Sequence, residues 1–156
     1  MASTYQIGTH AFAVEVFMPG GTKLSGEMFL RPGGVRASET VLERMNDGAP
    51  FFPLKTSDRG VLLVGTAQVR YIVTPSLDDD DDVAEERSST PQVLVTAELD
   101  SGEAITGVFF VDLPPDHVRA LDYLNEEKRA FVALAQLDRE YVINRSFIMH
   151  LRDVRM

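Results

Sequence analysis

The chain has 156 residues, 44% of them hydrophobic, and a net charge of -9 with no cysteine. The lack of cysteine excludes disulfides and thiolate metal sites. No run approaches the roughly 18 apolar residues of a membrane span, and the opening Met1-Ala2-Ser3-Thr4-Tyr5 lacks the basic and apolar regions of a signal peptide. The expectation is a soluble, cytoplasmic protein. Residues 1–75 carry seven basic and six acidic side chains, residues 76–92 one and seven, and residues 93–156 seven and eleven. No basic patch of the kind that displaces counterions from phosphates is visible in sequence order.

In chain order, the first pattern is an alternation of apolar residues every second position across 12–30, broken at Gly20-Gly21. That is the period of a half-buried strand, and the glycine pair suits a hairpin turn needing positive φ. The spacing predicts a hairpin over 11–31. A short helix follows at 39–45 with Ser38 as its N-cap. Strands are then expected at 50–55, 61–65 and 67–73, with Asp58-Arg59-Gly60 turning between the first two.

Residues 76–92, SLDDDDDVAEERSSTPQ, have little to bury. Ordering them would cost backbone entropy without return, so they are expected to form a solvated, disordered acidic linker. Asp78 to Asp82 lack the spaced oxygens, central Gly and terminal Glu of a calcium loop.

Beyond the linker the pattern returns. A hairpin is expected over 92–112, turning at Ser101-Gly102. A helix follows, from Pro114-Pro115 and Asp116 to Asn125 with Val118, Leu121 and Leu124 on one face. Strands are expected at 130–136, 140–144 and 146–153. At an offset of 81, Phe12, Val14, Val16 and Met18 fall on Val93, Val95, Ala97 and Leu99, and Gly26 falls on Gly107. At offsets of 79 or 80, Phe51 and Leu54 fall on Phe131 and Leu134, Asp58-Arg59 on Asp138-Arg139, and Leu62-Leu63-Val64 on Tyr141-Val142-Ile143. The chain therefore reads as a tandem duplication: a first unit at 8–75, a linker at 76–92 and a second unit at 93–156. Small units of this size bury only about 60% of their unfolded surface, which favours packing on each other or on a partner chain.

The stretch Val95-Thr-Ala-Glu-Leu-Asp-Ser-Gly-Glu-Ala-Ile-Thr-Gly107 resembles the first motif of Sm-like proteins, and Tyr141-Val-Ile-Asn-Arg-Ser-Phe-Ile148 resembles the second. The resemblance implies a mainly β fold of two tandem small Sm-like or SH3-like antiparallel barrels, each with one short inserted helix. Gly26 and Gly107 take the place of the motif's second glycine, where the second strand bends. The duplicated form also resembles a group of small bacterial proteins of unknown function. The turn of the second motif departs from the Sm-like Arg-Gly pattern, reading Asn144-Arg145 in one copy and Gly65-Thr66 in the other, and the expected helix follows the second strand rather than preceding the first.

His10, His117 and His150 fall in different elements without metal-ligand spacing. Ser146 and His150 would lie about 13 Å apart along a strand, too far for a nucleophile and its base. Pro32-Gly33-Gly34 lacks the lysine of a phosphate cradle. No catalytic residue, metal site or cofactor is indicated. Arg139, Asn144 and Arg145 form one polar cluster of loop-end residues, readable as a ligand or RNA contact or as solvated turn residues. Phe51 and Phe131, at one repeat position, are read as core. The leading functional expectation is a non-catalytic protein-interaction or scaffold module, meeting a protein partner or itself through edge strands. An RNA-binding Sm-like protein and an enzyme of unknown class are the alternatives.

Overall fold

A computed structural model describes residues 10–31, 39–77, 81–111, 124–125 and 128–154. The chain divides into two units, Met1–Pro75 and Ser76–Met156. Both are mainly β, and every strand pairing within them is antiparallel.

The first unit holds β1 (His10–Phe17), β2 (Lys23–Leu30), α1 (Val41–Met45), β3 (Phe51–Thr56), β4 (Gly60–Gly65) and β5 (Tyr71–Pro75). Its strands lie in the order β5-β1-β2-β3-β4. Alternation decides which side chains face inward. Val14 and Val16 of β1, Phe52 and Leu54 of β3, and Val64 of β4 are buried, with Met28, Leu30 and Ile72. The β1–β2 turn carries positive φ at Gly20 and Gly21, as the hairpin pattern predicts.

The helix α1 is capped by Thr40 rather than Ser38, which lies outside the described residues. Thr40 Oγ1 accepts from the Glu43 N–H at 3.2 Å, and Glu43 Oε1 accepts from the Thr40 N–H at 2.8 Å. This reciprocal box satisfies two amides that the first helical turn leaves without partners. Arg31, just after β2, bonds Glu39 at 3.2 Å and Asp47 at 3.0 Å, so the two ends of the α1 segment are tied to the strand.

The second unit holds α2 (Asp81–Ser88), β6 (Gln92–Leu99), β7 (Ala104–Phe110), β8 (Phe131–Ala135), β9 (Arg139–Asn144) and β10 (Ile148–Asp153), with the strand order β10-β6-β7-β8-β9. This is the order of the first unit taken strand for strand. Gly102, in the β6–β7 turn, has φ +91°. Buried apolar residues again alternate along β6, at Val93, Val95, Ala97 and Leu99. Of the helix expected up to Asn125, residues 112–123 lie outside the described residues, and Leu124 and Asn125 are helical.

The two second strands, β2 and β7, match in detail. Gly26 pairs with Val14 and Gly107 with Val95. One residue on, Glu27 pairs with Lys55, and Val108 pairs with Ala135. Each second strand thus serves the first strand along its length and the third strand just past the glycine. A Cβ at Gly26 would lie 2.5 Å from the Lys55 carbonyl oxygen, and one at Gly107 would lie 3.0 Å from that of Ala135. The missing side chain is what lets the third strand approach.

Three expectations need correction. Neither unit's ladder closes among the described residues: no pairing joins β4 to β5 or β9 to β10, so each unit is an open five-stranded sheet rather than a closed barrel. The strands expected at 67–73 and 146–153 start later. A 3-10 turn occupies Thr66–Gln68 in one unit and Arg145–Phe147 in the other, closed by bonds from the Val69 and Ile148 amides to the Thr66 and Arg145 carbonyls. Finally, the segment expected as a disordered linker contains α2, and the second unit begins at Ser76. Composition concealed two groups that find cover: Val83 is buried, and Arg87 meets a buried carboxylate.

Candidate interaction surfaces

The residues of the expected polar cluster do not converge. Arg139 opens β9 and Asn144 ends it, so about 17 Å of strand separates them. Arg139 is exposed and turns back on its neighbour, donating to Asp138 at 3.3 and 3.2 Å. That bond and the guanidinium charge hold the Asp138 carboxyl below its usual range. Asn144 is buried. Its side-chain oxygen accepts from the Ser146 amide at 3.1 Å and the Ser146 hydroxyl at 2.7 Å, which fastens the 3-10 turn.

Arg145 is half-buried and faces inward to the chain. Its guanidinium donates to the Leu124 carbonyl at 2.8 Å and the Arg129 carbonyl at 3.3 Å, and its amide donates to the Ala130 carbonyl at 2.8 Å. Thr66 repeats the arrangement in the first unit. Its amide bonds the Pro50 carbonyl at 2.9 Å and its hydroxyl the Ala49 carbonyl at 2.8 Å. Both residues pin the 3-10 turn to the chain that enters the third strand.

The histidine geometry separates the groups further. His150 Nε2 lies 3.0 Å from Glu98 on the exposed face of the β6–β10 pair, while the Ser146 hydroxyl is spent on Asn144. Among the described residues no three His, Asp or Glu side chains gather as metal ligands. No described helix is long and apolar enough to cross a membrane.

Two features escaped sequence reasoning. The first is an exposed apolar face on the β3–β4 hairpin. Phe51 pairs with Gly65, Pro53 with Leu63 and Lys55 with Val61, so these six residues share one side of the sheet. Leu63 is 73% exposed, Phe51 61% and Val61 44%. The core reading of Phe51 is therefore corrected: its ring lies on the outer side beside Gly65, whereas Phe131, at the matching register position opposite Asn144, is 1% exposed. Among the described residues β4 has β3 as its single neighbour at the end of the strand order, so one row of its backbone groups has no strand partner there. Reading Leu62-Leu63-Val64 as a run hid which of the three faces outward.

The second feature is the dock of α2. Arg87 Nη2 donates to Glu140 Oε1, and the guanidinium carbon stands 4.4 Å from the centroid of the Phe110 ring. Glu140 is buried. A signal was present in sequence: Val83 and Arg87 stand four apart, and Glu140 falls where the first copy has Gly60.

Comparison of the chain with family models, with curated proteins and with solved structures finds no match.

Proposed function

We propose that this chain is a non-catalytic interaction module, a tandem of two Sm-like units, that assembles with further copies of itself through its edge strands. The observation that carries the reading is the exposed hairpin face of Phe51, Val61 and Leu63 beside the free edge of β4. Apolar surface next to an unpaired strand edge is where a soluble protein meets a partner.

A second copy is the favoured partner. β10 is an end strand of the second unit's order as β4 is of the first's, and it is six residues long like β4, with Met149 exposed. Charge favours a head-to-tail contact: residues 1–75 carry seven basic and six acidic side chains, while residues 76–156 carry eight and eighteen. Two acidic units would repel one another, and a near-neutral unit against an acidic one would not. The Sm-like assignment draws support from the shared strand order, the close approach of the third strand at Gly26 and Gly107, and the position of α2 directly before β6. Of the candidate nucleic-acid contacts, Asn144 bonds Ser146 within the turn and Arg145 bonds the Leu124 carbonyl, while Arg139 is exposed.

The test is light-scattering mass of the full chain across concentration, alongside Leu63→Asp. The parent chain is expected to exceed the monomer mass and Leu63→Asp to return to it, with an unchanged circular dichroism spectrum. A single monomeric species at every concentration would sink the proposal.

A further inference from the structure

The helix α2 has few means of holding itself together. Of its described side chains only Val83 and Arg87 are covered, and residues four apart lie on one helix face. An isolated helix of this length is unstable in water. It therefore exists because it is docked, and the dock centres on one guanidinium.

The receiving surface has the two parts such a group needs. Val108, Ala135 and Glu140 form one row across β7, β8 and β9, and Phe110 lies two residues beyond Val108 on the same side. An aromatic face and a carboxylate therefore meet at one place. The Glu140 side chain is 4% exposed and that of Arg87 18%. A planar cation stacked on an aromatic ring and bonded to a carboxylate uses both its charge and its fork of donors. In the first unit Phe29 stands at the place of Phe110, but Gly60, with φ +69°, stands at the place of Glu140. The acid occurs in the unit that carries the helix.

We propose that Glu140 and Phe110 form a guanidinium-binding pocket, that Arg87 is its internal occupant, and that α2 is a strap retained by that occupancy. The ligand class is the arginine side chain. An arginine presented by another protein competes with Arg87, and its entry frees α2.

The experiment uses the full chain carrying Arg87→Ala, with methylguanidinium as the probe. The amides of Glu85 to Ser88, which donate within α2, are expected to exchange about a hundredfold faster in the variant, while those of β6 and β7 keep their protection. Methylguanidinium at millimolar concentration is expected to raise the melting temperature of Arg87→Ala saturably. Methylammonium is expected to have no such effect, and Arg87→Ala/Glu140→Gln to respond to neither. Unchanged exchange in α2 would overturn the strap, and a flat response to methylguanidinium would overturn the pocket. Loss of protection throughout the second unit would mean that the pair holds the unit, not the helix. Should Arg87→Ala fail to fold, Arg87→Lys keeps the charge and loses the fork. At least tenfold faster exchange in α2 is then expected, and exchange equal to the parent's would overturn selectivity for guanidinium.

Discussion

Replacing Gly26 by alanine tests the close approach of the third strand directly. Gly26 does not have positive φ, so alanine meets no backbone penalty there, and the effect on the folded state is one of contact. The new methyl would sit 2.5 Å from the Lys55 carbonyl oxygen and 3.1 Å from the Leu54 Cγ. The carbonyl cannot swing away freely, because Lys55 is paired with both Glu27 and Val61. Overfilling of this kind costs about 1–3 kcal/mol. Reduced freedom of the unfolded chain returns about 0.4–1 kcal/mol. At Gly107 the methyl would meet the Ala135 oxygen and the Leu134 Cβ at 3.0 Å, a milder overlap. The expected net losses are about 2 kcal/mol for Gly26→Ala and about 1 kcal/mol for Gly107→Ala. Urea unfolding of the full chain measures both, with a midpoint shift on the order of 1 M for the larger loss. A neutral or stabilising Gly26→Ala, or a larger loss at Gly107, would refute the claim that the third strand needs the missing side chain.

Further outcomes follow from the turns and caps. Arg145→Ala removes two charge-assisted bonds to the Leu124 and Arg129 carbonyls and should cost about 1.5–3 kcal/mol in the same unfolding assay. If the variant instead kept its stability and lost a salt-sensitive RNA affinity, Arg145 would be a nucleic-acid contact. Thr40→Ala breaks the capping box of α1 and should cost about 1 kcal/mol, with Thr40→Ser close to neutral. Leu63→Asp, at an exposed position, should change unfolding stability by no more than about 0.5 kcal/mol while abolishing self-association.

The strands and the hairpin turns were legible in the amino-acid order. Alternation at Val14 and Val16, or at Val93 and Val95, is a local signal, because period two alone assigns side chains to faces. Gly20, Gly21 and Gly102 mark turns for an equally local reason. The cap of α1 was misplaced by two residues, since Ser38 and Thr40 are both acceptable and only Thr40 stands three before Glu43. A turn was expected at Gly65-Thr66 and at Asn144-Arg145, but not its extension as a 3-10 turn to Gln68 and Phe147, because apolar residues on either side continue the strand pattern.

What the amino-acid order determined by itself is a mainly β chain, with its strands and the turns between them. Tertiary structure decided where each surface ends up. Phe51 and Phe131 occupy matching register positions, yet one is exposed and the other buried, because cover is supplied by residues distant in sequence. Arg139 and Arg145 are close along the chain but stand at opposite ends of one strand, while Arg87 crosses 53 residues to reach Glu140. Backbone periodicity is encoded over a few residues. Burial and charge pairing depend on which segments come together once the sheets form, and no single stretch of the sequence contains that information.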